Sequence, residues 1–496
     1  MVNHATFKIN VMMMMIFNKR HVIKGVMIST VLLGAGALLA LKPSPAKPIK
    51  QKDKRPNIVF IMADDLTMTD IGPFGSTQVH TPNMDRLARE GVCLDNMFNM
   101  VPVCSPTRQS LLTGLGPVRN GAYPNHTMIY KGIKTLPVYL KQLGYNAAII
   151  GKRHYAPDES YPFDFLGGRD EDNGSGIDID LSKADEWVKK STDKPFYLMF
   201  TSNQPHEPYT RGNQSAYDPE KVKLGPNMVD TKLTRRRMAK YFAEITYLDS
   251  LIGVCLDIVK RTGQENNTII MFATEQGNSF PFSKWTLYDQ GLHSGFIAKW
   301  PGRIQPGTRN PAMLEYIDIT PTLIDIAGGD PTKINTGSKD GNGNMGFDGV
   351  SFKKVLLGQQ THVRDYVFAE ETTRGIIQGS DAYAIRSARS KQFLYIHNLN
   401  FTEKFKNTVV RMPFFKEWQE ANAARSNYYQ VRPEEELYDV VNDPFDLKNL
   451  ADDPKYAPTK AKLKAKLTEF MKQQNDEGIA TEMKAFSRQP KTGAVD

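Results

Sequence analysis

The stretch "CSPTRQSLLTG", Cys104 to Gly114, sets a thiol and a guanidinium four positions apart at the entrance of an expected helix. Ser105 reads as its cap, Pro106 as its first residue and Gly114 as its stop. Arg108 then falls in the first turn, where it faces the positive end of the helix dipole and needs a nearby anion to compensate. Four more polar clusters carry groups capable of chemistry: Asp64 with Asp65, Lys152 with His154, His206, and Glu275 with Gln276. The acidic and amide members offer only oxygen, a donor set that suits Ca²⁺ or Mg²⁺ and disfavours zinc. The cations and imidazoles add charge and proton carriers, and together with a metal they would make a site for a multiply bonded oxyanion. Singly, each cluster has a plainer reading: paired aspartates often only form a turn, and a loop histidine is usually a surface or packing residue.

Their placement gives them weight. Each cluster ends a short apolar run: "NIVFIMA" before Asp64, "YNAAII" before Lys152, "PFYLMF" before His206 and "NTIIMFA" before Glu275. Helical patterns such as "LPVYLKQLG" and "RRRMAKYFAEITYLDSLIGVCLDIVKRTG" separate the runs. Continuous apolar strands alternating with helices indicate an α/β fold, with a mainly parallel sheet covered by helices on both faces. In such sheets ligands bind beyond the carboxyl ends of the strands, where all four clusters fall.

The chain has 496 residues, 40% of them hydrophobic, enough for a large core and more than one domain. Its formal charge of +9 suggests nucleic acid only until the charge is located. Residues 1–53 carry eight Lys or Arg against one Asp, leaving the remainder close to neutral, and nucleic-acid binding is rejected. Lys19, Arg20 and Lys24 precede the apolar run "VMISTVLLGAGALLAL", followed by a Pro/Ala/Lys-rich tether. This is the pattern of a secretion signal, and the run is short for a span of about 20 residues. A periplasmic or secreted protein is expected, with an uncleaved signal anchor as the one route to a membrane. Three cysteines make a poor disulfide framework, so Cys93 and Cys255 read as core. Cys104, held between Pro102 and Pro106, stands apart.

With these residues in view, the sequence resembles the formylglycine-dependent sulfatases of the alkaline phosphatase superfamily. "CSPTRQSLLTG" matches their signature, and "PNIVFIMADD", "GKRHYAP", "PHEPY", "FSKWTLYDQGLHSG" and "ELYDVVNDPFDLKNLA" run in order through the chain around it, so the likeness spans about residues 55 to 470. It implies an alkaline-phosphatase-like catalytic domain over 54–365 and a smaller C-terminal α+β subdomain on an antiparallel sheet over 366–496. It further implies that a maturation enzyme converts Cys104 to formylglycine (3-oxoalanine), whose hydrate is the nucleophile. One Ca²⁺ would be held by Asp64, Asp65, Glu275 and Gln276 together with the modified Cys104. Arg108 and Lys152 would stabilise the hydrate, His206 and Lys284 would hold sulfate and protonate the leaving oxygen, and His154 would act as the base that releases sulfate.

Three residues, in two segments, depart from the family's usual pattern. Glu275-Gln276 stands where Asp and then Asn or His is common, and Arg153 stands where an aromatic residue is common. The substrate expected is a sulfated carbohydrate, with His126, Arg153, His293, Arg374, Arg386 and Arg389 as candidate contacts. The segment "EQGNSFPFSKWTLYD" resembles the branch that holds polysaccharide sulfatases and sulfamidases, which keeps N-linked sulfate open beside O-linked sulfate. A phosphodiesterase or phosphonate hydrolase of the same superfamily and a non-catalytic sulfated-glycan-binding protein are the remaining alternatives.

Overall fold

The computed structural model describes residues 55–169, 179–191 and 193–488. The expected signal and tether lie outside them. Among the described residues no helix is long and apolar enough to cross a membrane.

The four apolar runs form strands β1 (Asn57–Met62), β3 (Asn146–Gly151), β5 (Phe196–Thr201) and β6 (Thr268–Ala273). They are parallel neighbours, in the order β3-β5-β1-β6, so their carboxyl ends share one edge of the sheet. The sheet has eight strands. β4 (Asp164–Phe165) extends it beyond β3, while β7 (His293–Lys299), β2 (Val92–Phe98) and β8 (Thr308–Glu315) extend it beyond β6. β7 runs antiparallel to both of its neighbours, which makes the sheet mixed.

Both faces of β1 are buried, and its alternation sorts them. Ile58, Phe60 and Met62 join one core, with Leu111, Leu112, Leu136 and Leu323 from helices on that side. Val59 and Ile61 join the other, with Tyr241, Phe242, Ile245, Leu248 and Ile252 of the long helix Lys232–Arg261. Each large apolar side chain so buried contributes roughly 1.5–3 kcal/mol, which is why the middles of these strands are apolar and their polar residues fall at the first or last position. Thr231 caps the long helix by accepting from the Thr234 N–H at 3.2 Å. Cys255 sits in its buried stripe and Cys93 is buried in β2, the core positions expected of them.

Strands β9 (Val367–Glu371), β10 (Ile385–Arg389), β11 (Phe393–Asn398) and β12 (Glu435–Asp439) form a second sheet, antiparallel throughout. The helix Ala457–Gln474 covers one face through Leu463 and Leu467, and the other face continues the core of the long helix. Glu370 of β9 is buried on the face the Ala457–Gln474 helix covers, and burial pushes its carboxyl up to about 8 against the pull of Arg386. The folded chain therefore keeps a proton that the unfolded chain releases near an ordinary glutamate pKa of about 4.3, and stability falls as pH rises through that window. Glu370→Gln should gain stability relative to the parent between about pH 5 and pH 8.5, by at most a few kcal/mol. Thermal unfolding at both pH values checks this, and parallel pH profiles would contradict it.

Candidate active site

The helix that carries the thiol runs Cys104–Thr113, two residues earlier than expected. Its cap position is Val103, in extended conformation and without a side-chain cap bond, and Pro106 is its third residue rather than its first. Proline is tolerated there because first-turn N–H groups have no partner inside the helix. Arg108 is consequently the fifth residue, past the turn where the dipole acts most strongly. Gly114 does end the helix, in the left-handed conformation at φ 68°.

Arg108 is compensated by acids. Its Nε lies 2.7 Å from Glu275 Oε1, its Nη2 lies 3.8 Å from Asp64 Oδ1, and its Nη1 donates to the Lys152 carbonyl at 3.1 Å. Lys152 Nζ bonds Asp64 Oδ2 at 2.6 Å. Gly151 before it has φ 102°, and a Cβ there would fall 1.9 Å from the Thr201 carbonyl, so only glycine lets β3 approach β5 at this point. Asp65 accepts from Lys284 Nζ at 2.6 Å, Ser279 Oγ at 2.6 Å and Gln276 Nε2 at 2.7 Å. Its own N–H donates to Glu275 Oε2 at 3.3 Å. Asp65, Glu275, His126 and His154 all have positive φ, a conformation that costs roughly 1–3 kcal/mol per residue and clusters at functional sites.

Ligand atoms of Asp64, Asp65 and Glu275 all lie within 4.8 Å of one another. Asp64 Oδ1 and Gln276 Oε1 are buried oxygens with no hydrogen-bond partner. Buried polar atoms are ordinarily satisfied, so these orphaned acceptors fit a hard cation bound among the four residues. Burial pushes the Glu275 carboxyl well above its usual range even with Arg108 beside it, a strain that a divalent ion would relieve. Asp64 is also buried, but Lys152, His206 and Arg108 outweigh that and hold it well below its usual range.

Cys104 lines a cavity of about 190 Å³ together with Lys152, Lys284, Ser279, His154, His206, His126 and Trp285. Burial raises its thiol pKa despite the two lysines, so the unmodified residue is a neutral, poor nucleophile. His206 Nδ1 lies 2.6 Å from the Glu207 carbonyl and so carries the proton it donates there, leaving Nε2 3.6 Å from Asp65 Oδ2. His154 Nε2 meets His126 Nδ1 at 3.1 Å. Burial, then Lys152, His126 and Arg108, push the His154 pKa well below its ordinary value, so this imidazole is neutral and able to accept a proton.

The structure thus gathers Cys104, Arg108, Lys152, His154, His206, Lys284, His126 and the four oxygen donors. Other candidates lie elsewhere. Arg153 pairs with Asp158 at 2.7 Å and lies over the Phe165 ring. His293 and Arg389 both bind Asp289, at 3.1 and 2.7 Å, in a separate cavity of about 300 Å³. Arg386 is buried in a paired fork with Asp476. Arg374 lies over the Phe486 ring, and its carbonyl accepts from the Asn125 N–H, so it stands beside the cavity rather than in its lining. Residues not anticipated from the sequence complete the walls: Asn125, Glu207, Ser279 and Trp285, with Ile376, Ile377 and Thr408 from the region of the second sheet. Only Ser279 carries a usable signal, as a hydroxyl in the polar loop between Gln276 and Lys284.

Comparison with known proteins agrees with this geometry. The Sulfatase family model matches residues 56–329, and a model described as N-sulphoglucosamine sulphohydrolase, C-terminal, matches residues 277–408. The chain is 32% identical over 425 residues to an ulvan-active sulfatase of Formosa agariphila, covering 85% of this chain and 81% of that protein. It is 27% identical over 466 residues to the N-sulphoglucosamine sulphohydrolase of Homo sapiens, covering 85% and 90%. Among solved structures, one in complex with its substrate D-glucosamine-2-N,6-O-disulfate matches with a TM-score of 0.64 at 22% identity, covering 85% of this chain and 99% of that one.

Proposed function

This chain belongs to the sulfatase family and is a sulfuric ester hydrolase; from that premise we propose that it removes sulfate from a sulfated carbohydrate, using a formylglycine made from Cys104 and one bound Ca²⁺. The observation that carries the reading is the meeting of Asp64, Asp65 and Glu275, within 4.8 Å of one another, directly behind a cavity lined by Cys104, His206, Lys152 and Lys284, the two lysines bonding Asp64 and Asp65. Two relatives act on such material by name, one on ulvan and one on N-sulphoglucosamine.

Ca²⁺ held by Asp64, Asp65, Glu275 and Gln276 would polarise a sulfate oxygen and offset the anionic charge. The formylglycine hydrate would supply the attacking oxygen and, through its second hydroxyl, a route to release sulfate without an external nucleophile. The remaining work falls to the side chains. With Glu275 ionised by a bound divalent ion, three carboxylates would face three cations, Arg108, Lys152 and Lys284, and the ion's own charge would be the positive excess that binds sulfate. Burial opposes the charge on Lys152 and Lys284, but Asp64 and Asp65 outweigh it and keep both ammonium groups protonated. His206 donates Nδ1–H to the Glu207 carbonyl, a contact that fixes the ring and leaves Nε2 to face the leaving oxygen. His154 takes the proton whose removal frees sulfate.

His206→Ala should lower kcat/KM on sugar sulfates by about 10²–10³-fold, and on activated aryl sulfates by tenfold or less. Equal losses on both would remove His206 from leaving-group protonation. Export to the periplasm or beyond, supported by the basic and apolar segment before residue 53, suits a polymeric substrate. The reading also requires a formylglycine-generating enzyme in the host. Sulfate release from ulvan oligosaccharides by the matured enzyme tests it. N-linked sulfate is the second reading, favoured by the family match over residues 277–408; sulfate release from N-sulphoglucosamine but from no O-sulfated sugar would select it.

A further inference from the structure

Arg237 stands on the helix Lys232–Arg261, behind the cavity wall, and its guanidinium ties two active-site loops together. It ion-pairs with the Glu207 carboxylate, and its Nη2 donates to the Ser279 carbonyl at 3.4 Å. The Tyr209, Phe280 and Phe414 rings surround it, with centroids 4.8, 5.1 and 5.0 Å away. Both loops carry groups of the site. The Glu207 carbonyl accepts the His206 Nδ1 proton, and Ser279 Oγ donates to Asp65.

Glu207 is also the one carboxylic acid among the described residues that line the cavity. A bare carboxylate at the wall of an anion site would repel the incoming sulfate, and the low-dielectric surroundings would strengthen the repulsion. A cation seated among three rings is held in one place, and a guanidinium can grip a carboxylate and a carbonyl at the same time.

We infer that Arg237 is a positioning residue for the sulfate-ester reaction: it cancels the Glu207 charge toward the anionic substrate and fixes the loop that aims His206. The inference rests on His206 protonating the leaving oxygen, as proposed above. It predicts two separable defects. Loss of the charge exposes Glu207 and raises KM; loss of the Nη2 bridge between Glu207 and the Ser279 carbonyl frees the His206 loop and lowers kcat where the leaving group is poor.

The test is a double-mutant cycle between Arg237→Met and Glu207→Gln, run with 4-methylumbelliferyl sulfate on the matured full-length protein. Arg237→Met should raise KM about tenfold or more, and adding Glu207→Gln should recover most of that rise. A double variant no better than Arg237→Met alone, or an Arg237→Met variant with unchanged KM, overturns the inference. Should Arg237→Met not fold, Arg237→Lys decides the matter. The retained charge should hold KM within about threefold while kcat on a sugar sulfate falls about tenfold. A KM rise without a kcat loss overturns it. If instead the matured parent enzyme hydrolyses no sulfate ester, the sulfatase mechanism itself fails, an outcome distinct from a flat cycle in an active enzyme.

Discussion

Cys104→Ala is expected to lose turnover by at least about 10⁴-fold, the scale on which removal of a nucleophile falls, while the protein remains folded. Cys104 is the first residue of its helix, only 4% exposed, between the Lys152 and Lys284 charges at the cavity floor. Truncation to alanine removes one atom beyond Cβ and leaves every ion pair of the site in place, so the stability cost should stay within about 1–2 kcal/mol. Thermal unfolding and sulfate release, measured on the same preparation, separate the two effects. Appreciable sulfate release by this variant would refute a nucleophile derived from Cys104. Cys104→Ser should be equally inactive unless the host matures serine.

Asp65→Asn should cost at least about 10³-fold in activity and abolish stabilisation by Ca²⁺. Asparagine tolerates the positive φ of 61° at this position, so the backbone is kept and the charge alone is lost. Lys284, 3% exposed and 2.6 Å from Asp65, is then left buried without its counter-charge. Breaking such a pair typically costs about 3–5 kcal/mol. The cation loses one of its anionic ligands as well. In the parent protein, Ca²⁺ at about 100 times its Kd should add about 2.7 kcal/mol to stability, and chelation should remove it together with activity. Unfolding of both proteins with Ca²⁺ and with chelator reads this directly. An Asp65→Asn variant stabilised by Ca²⁺ as fully as the parent would place the metal elsewhere.

The elements that are legible in the sequence share a physical reason. β1, β3, β5 and β6 are buried on both faces, which forces unbroken apolar runs that stop where the sheet meets the site. Asp64, Lys152 and Glu275 follow those runs within two residues and His206 follows in the polar loop after β5, so the amino-acid pattern alone assigns them to one edge of the sheet. β2 is illegible because Asp95 and Asn96 interrupt it, half-exposed, beside a register shift against β7 and β8. The reversed direction of β7 is set by tertiary pairing and leaves no local trace. The start of the Cys104–Thr113 helix is misread because proline is tolerated at several first-turn positions, whereas Val103 carries no capping signal. Arg153 and His293 show another limit: each finds an acid nearby, Asp158 and Asp289, and sequence spacing does not reveal whether a cation faces the site or such a neighbour. The outer cavity wall at Ile376, Ile377 and Thr408 lies more than 200 positions from Cys104 and is apolar or neutral, so nothing marks it.

The most direct measurement is mass spectrometry of the proteolytic peptide containing Cys104, from protein produced with a competent maturation system. The account predicts that the thiol is replaced by an aldehyde or its hydrate. A thiol that persists while a control sulfatase is converted in the same cells would contradict it, and would turn the cavity into a binding site for sulfated glycans rather than a site of hydrolysis.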